Sequence, residues 1–213
     1  MFRVFLLLIV TLTTQSAVGA QSTVLVVGDS LSAGYGLNSG ESWVSLLQRR
    51  LDSEGYGYRV VNASISGDTS RGGKSRLPRA VKVHKPAVVV IELGGNDGLR
   101  GIPISEMQKN LDCMVRTGQE AGAAVILVPM RIPSNYGPAY TEKFEQVYKD
   151  LIQRYNLPSA RFILDDVATN PDLMQSDGIH PNAEAQSIML TNLWPALEQA
   201  LKQKEMTTGE VSG

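Results

Sequence analysis

The sequence is poor in cysteine and histidine and shows no excess of either charge. Cys113 is the one cysteine in 213 residues, so no disulfide can form within the chain and stability must come from packing. It falls in a helical pattern over residues 104–117 whose apolar positions are Met107, Leu111, Met114 and Val115, and there it reads as a buried structural thiol. The two histidines, His84 and His180, make no metal-binding cluster, and neither a metal nor a cofactor is expected. A formal net charge of -1 gives no reason to expect nucleic acid or an anionic membrane as a partner. No apolar run is long enough to span a bilayer. The nearest, residues 4–12, follows Arg3 and precedes Val18-Gly19-Ala20, the layout of a secretory signal cut near Ala20. The mature chain is therefore expected to be periplasmic or secreted, with no transmembrane segment. It is expected to be a monomer, with one domain over residues 21–201 and a polar, frayed tail over 202–213.

The positive content begins with Val24-Leu25-Val26-Val27-Gly28-Asp29-Ser30. The apolar, β-branched run is that of a buried parallel strand, and it gives way at Ser30 to a helical pattern. Residues 58–63, 87–93 and 123–128 read as further strands, with 161–164 as a weaker fifth. Helical patterns at 43–51, 77–83, 104–117, 140–155 and 183–201 separate them. Alternating strands and helices imply a three-layer α/β/α domain around a five-stranded parallel sheet of flavodoxin-like type. Such sheets bind ligands at the carboxyl ends of their strands. The polar clusters 28–30, 66–68, 94–97 and 177–180 all fall at such ends, which predicts one shared site.

Those clusters hold the parts of a nucleophilic hydrolase. Ser30 needs a base, and His180, in a loop after the last strand, supplies an imidazole. Asp177, three residues earlier, is placed to accept from Nδ1 and orient the ring. Asn96 after a Gly-Gly turn, the N–H of Gly67 and the N–H of Ser30 are candidate donors to an oxyanion. Leu99, Ile102, Pro103, Ile132 and Tyr136, on loops at the same edge, are candidate walls of an acyl groove. His84 instead sits near a helix C-terminus, where a cation is favoured. Residues 68–75 approach a phosphate-binding loop, but Asp68 occupies the position of its first glycine. Asn62 fits a glycosylation acceptor yet is expected to be inaccessible at a strand end. The Gly-x-Ser-x-Gly elbow of α/β-hydrolases is absent.

Gly28-Asp29-Ser30-Leu31-Ser32, Gly67, Gly94-Gly95-Asn96-Asp97 and Asp177-Gly178-Ile179-His180-Pro181 together resemble the four blocks of the SGNH (GDSL) hydrolases, in order and spacing. The stretches 61–70, 92–101 and 131–137 extend the likeness to that family's periplasmic branch of thioesterases, lysophospholipases, arylesterases and proteases. The resemblance implies the SGNH hydrolase fold, with Ser30 as nucleophile, His180 as base and Asp177 as orienter. Ser30, Gly67 and Asn96 would form the oxyanion hole, and the loop 98–103 would move over a bound acyl chain. The implied reaction is hydrolysis of fatty acyl esters and thioesters (acyl-CoA, lysophospholipid and aryl esters) through an acyl-enzyme. A carbohydrate or aryl O-acetylesterase using the same residues is the alternative.

Overall fold

The computed structural model describes residues 21–210, with side chains to residue 206; the segment read as a secretory signal lies outside the described residues. Strand β1 (Ser22–Gly28) is followed by the single helical turn α1 (Ser30–Ala33), then α2 (Trp43–Ser53) and β2 (Tyr58–Asn62). Next come α3 (Ser70–His84), β3 (Val88–Glu92), the short α4 (Gly95–Leu99), α5 (Ile104–Glu120) and β4 (Ala124–Leu127). Helices α6 (Pro138–Arg154) and α7 (Gln186–Glu210) follow.

The sheet is parallel, in the order β2-β1-β3-β4. From β1 the chain steps outward to β2 and then returns to the other side as β3. With right-handed crossovers, that reversal puts α2 on one face and α3 and α5 on the other. Accordingly α2 packs with α7 over one face, while α3 packs with α5, and α5 with α6, over the other. Val24–Val27 and Val88–Ile91 are fully buried between these layers, which explains why they read as continuous apolar runs rather than alternating ones.

Four strands form among the described residues, not the five expected. Phe162 and Ile163 are buried in the core, but the backbone of 161–164 does not join a ladder. Its groups are taken up locally: Asp165 N donates to Phe162 O at 3.0 Å and Val167 N to Leu164 O at 3.0 Å. Asn192 of α7 donates to Ile163 O and Asp165 O at 3.2 and 2.9 Å. Two adjacent apolar residues satisfied burial without alternation, and a side-chain amide replaced the strand partner. Helix α3 begins earlier than the expected 77–83, and α7 continues to Glu210 through residues expected to be a frayed tail. Cys113 is half-buried rather than buried. Asn62 is exposed, contrary to expectation, although its Nδ2 donates to Ser32 O at 2.7 Å.

Candidate active site

The reversal in strand order opens a crevice between the carboxyl ends of β1 and β3, the usual ligand position in such sheets. Ser30 follows β1 directly, and Asn96 lies in the first turn of α4 after β3. Gly67 sits between β2 and α3, at φ +76°, a left-handed conformation that a side chain would strain. Gly94 turns the chain out of β3 at φ +114°, and a Cβ there would collide with the Tyr148 hydroxyl. That buried hydroxyl donates to Leu93 O at 2.9 Å, fixing the strand end from α6.

His180 arrives from the loop ahead of α7, and its Nε2 stands 2.9 Å from Ser30 Oγ. Its Nδ1 is 2.6 Å from Asp177 Oδ2. Asp177 Oδ1 accepts from the backbone N–H groups of Ile179 and His180, at 2.9 and 3.0 Å. The backbone bond from His180, then its ring and the Ile179 N–H, lower the Asp177 pKa to about 2. An ionised carboxylate requires a proton on Nδ1, which leaves Nε2 as an acceptor for the serine hydroxyl. Tyr35 lies against the imidazole, with ring centroids 4.5 Å apart. Gln175 Nε2 donates to Tyr35 O at 2.8 Å and to Pro181 O at 2.9 Å, tying the loop after Ser30 to the His180 loop.

The N–H groups of Ser30 and Gly67 donate to no described group. Asn96 Nδ2 gives one hydrogen to Asp29 Oδ2 at 3.0 Å and retains a second. This is a hydroxyl with a base on one flank and uncommitted donors at neighbouring strand ends. Such a set suits attack on a carbonyl carbon whose oxygen becomes negative.

The expected groove residues separate by exposure. Leu99 and Tyr136 are 41% and 39% exposed, and Tyr136 Oη donates to Leu99 O at 3.1 Å. Ile102 is half-buried and Pro103 exposed, at the start of α5. Ile132 is 7% exposed and packs under the loop, where a methyl at Gly98 would lie 2.6 Å from its Cγ2. Tyr35, Ile65 and Ile179 are also exposed large apolar side chains, each within five residues of Ser30, Gly67 or His180.

Several supporting residues were missed in the sequence. Arg76 of α3 binds Ala63 O, Gly28 O at 3.2 Å and Asp68 Oδ2 at 2.8 Å, bracing the ends of β1 and β2. Asp97, buried beside Asn96, accepts from Ser70 N and Ser70 Oγ at 2.8 and 2.5 Å and so caps α3. Glu92, at the end of β3, is fully buried, and its Oε1 has no partner among the described residues. Burial, then the nearby Asp29, pushes its carboxyl pKa well above the ordinary value. An acid whose folded pKa exceeds its unfolded one costs no stability below the unfolded value of 4.5, and increasingly more as pH rises above it. Glu92→Gln, neutral at every pH, is therefore expected to gain Tm relative to the parent as pH is raised from 4 to 7. Paired thermal melts at the two pH values measure this, with a gain of more than about 2 °C expected.

The sequence profile of the GDSL-like Lipase/Acylhydrolase family matches residues 26–188. The chain is 50% identical over 190 residues to "Esterase TesA" of Pseudomonas aeruginosa, covering 89% of this chain and 94% of that protein. It is 43% identical over 180 residues to "Thioesterase 1/protease 1/lysophospholipase L1" of Escherichia coli K12, covering 84% of each. Among solved structures it resembles the psychrotrophic esterase EstA from Pseudoalteromonas sp., inhibited by monoethylphosphonate. The TM-score is 0.81 at 41% identity, over 85% of this chain and 99% of that one.

Proposed function

The chain belongs to the GDSL-like Lipase/Acylhydrolase family, and from that premise we propose how its residues divide the work of a serine esterase and thioesterase. It is a serine hydrolase acting on carboxylic ester and thioester bonds. Ser30 Oγ attacks the carbonyl carbon while His180 Nε2 takes the hydroxyl proton. Asp177 holds the ring in the required tautomer and balances the imidazolium. The carbonyl oxygen, now negative, receives hydrogen bonds from Ser30 N, Gly67 N and Asn96 Nδ2. Collapse breaks the bond to the alcohol or thiol, which leaves with the proton from His180, and the acyl group remains on Ser30. Water, deprotonated by His180, attacks the acyl-serine through a second oxyanion. The acid departs and Ser30 regains its proton. The observation that carries this reading is the 2.9 Å contact of Ser30 Oγ with an imidazole already oriented by a carboxylate.

Fatty acyl chains of esters, lysophospholipids and acyl-CoA are the proposed substrates. Leu99 and Tyr136 beside the site provide apolar area for them, and the E. coli relative carries thioesterase and lysophospholipase in its name. The apolar segment 4–12 and the small residues before Gln21 support export to the periplasm, and a monomer suffices, since all the groups named come from one chain. With p-nitrophenyl esters from acetyl to palmitoyl, kcat/KM is expected to rise from acetyl to medium or longer chains. Each methylene held in the groove adds up to ~0.8 kcal/mol. A steep fall beyond acetyl would instead identify an O-acetylesterase.

A further inference from the structure

Two carboxyl groups, Asp29 and Glu92, are buried behind the Ser30 turn, and the reaction course above uses neither. Asp29 is 3% exposed and Glu92 fully buried. The β1–β3 register sets Gly28 opposite Glu92. A Cβ at Gly28 would stand 2.6 Å from Glu92 Oε2, so a glycine is needed to admit the carboxyl. Glu92 Oε2 accepts from Ser32 Oγ at 2.6 Å and from Asp29 N at 3.4 Å.

Asp29 uses both oxygens as acceptors. Oδ1 receives the Leu31 N–H at 3.1 Å, and Oδ2 receives Asn96 Nδ2 at 3.0 Å. An amide nitrogen carries two diverging hydrogens in one plane, so anchoring the first aims the second. At the other end of the same amide, Arg100 Nη2 lies 3.5 Å from Asn96 Oδ1 while donating to Gly67 O at 2.9 Å. We propose that Asp29 is a positioning residue for the hydrolysis: its carboxylate holds one hydrogen of Asn96 Nδ2 so that the other faces the oxyanion. The proposal rests on the reading of Asn96 as an oxyanion donor given above. Burial raises the Asp29 pKa to about 6, against the Leu31 and Asn96 bonds that lower it. Asp29 is thus mostly an anion at neutral pH, while burial and the Asp29 charge push the Glu92 carboxyl well above its ordinary value.

Asp29→Asn is the discriminating variant, because an asparagine accepts with one oxygen only. Either Leu31 N–H or Asn96 Nδ2 must then meet an NH₂ group. The experiment compares kcat and KM of the parent, Asp29→Asn, Asn96→Ala and the double variant on one p-nitrophenyl ester. Asn96→Ala is expected to lower kcat about 10²–10³-fold. Asp29→Asn is expected to lower kcat about tenfold or more with KM changed less than about twofold. In the Asn96→Ala background the same substitution is expected to cost less than about twofold, because its effect passes through Asn96. An equal loss in both backgrounds would overturn the positioning role and leave Asn96 a donor, whereas Asn96→Ala with parental kcat would overturn the donor reading itself.

Should Asp29→Asn fail to fold, the parent protein answers by NMR. The Asn96 side-chain amide, assigned by its loss in Asn96→Ala, is expected to show one hydrogen shifted downfield and titrating near pH 6. The ionisable groups facing Asp29 are Glu92 of β3, Asp68 ahead of α3, Tyr148 of α6 and His180. Repeating the titration in His180→Ala removes the imidazole's contribution. Two hydrogens at the ordinary positions of a solvated asparagine amide, neither of them moving with pH, would overturn the proposal.

Discussion

Ser30→Ala is expected to lower kcat about a millionfold, with KM and Tm little changed. The substitution removes the proposed attacking oxygen and leaves His180, Asp177 and the proposed oxyanion donors in place. Binding survives, and so does a small residual rate from water attacking a polarised carbonyl. His180→Ala should cost about as much, because an unactivated hydroxyl is no better than none. The double variant should cost no more than either single one, since the groups act as a unit. Steady-state rates on p-nitrophenyl butyrate, corrected by active-site titration for traces of parent enzyme, measure the set.

Asp177→Asn is expected to lower kcat about 10⁴-fold without unfolding the protein. The reason lies in how Asp177 is held. Its Oδ1 is fixed by the N–H groups of Ile179 and His180, and its Oδ2 faces His180 Nδ1. An asparagine keeps its oxygen on the two N–H groups and turns its NH₂ toward Nδ1. Nδ1 must then accept, the ring proton moves to Nε2, and the imidazole donates to Ser30 Oγ where it should accept. The pH behaviour follows from the same bonds. With a folded pKa of about 2 against 3.8 unfolded, the contribution of Asp177 to stability is complete above pH 3.8 and is lost as pH falls through 2. Asp177 therefore stays ionised across the working range. An Asp177→Asn enzyme within tenfold of the parent at pH 7 would show that ring orientation contributes little here.

The candidate site, in which Ser30, His180 and Asp177 come together, was more legible in the sequence than the contacts that brace it. Ser30 and Asn96 come just after apolar runs that end on glycines, Asp177 and His180 stand three residues apart around Gly178, and local patterns of that kind are visible in a linear string. Arg76, Gln175 and Asp97 each have a partner between 27 and 140 residues away, and no periodicity marks them. Asp29 received no role of its own in the sequence, because its bond to Asn96 spans 67 residues. The expected fifth strand failed for a related reason. Phe162-Ile163 carried the apolar signal of a strand, but a strand is defined by its backbone partner, and Asn192 took that place. Ile132 was grouped with groove residues by its position in a loop; only the packing of that loop over Gly98 reveals it as buried.

The most direct measurement is intact mass after treatment with a fluorophosphonate, followed by peptide mapping. The mature protein is expected to gain one phosphonyl group, on Ser30, with hydrolysis lost in proportion. Ser30→Ala is expected to gain none. An active enzyme that takes up no label at Ser30, or a Ser30→Ala protein that still hydrolyses esters at the parental rate, would contradict Ser30 as the nucleophile.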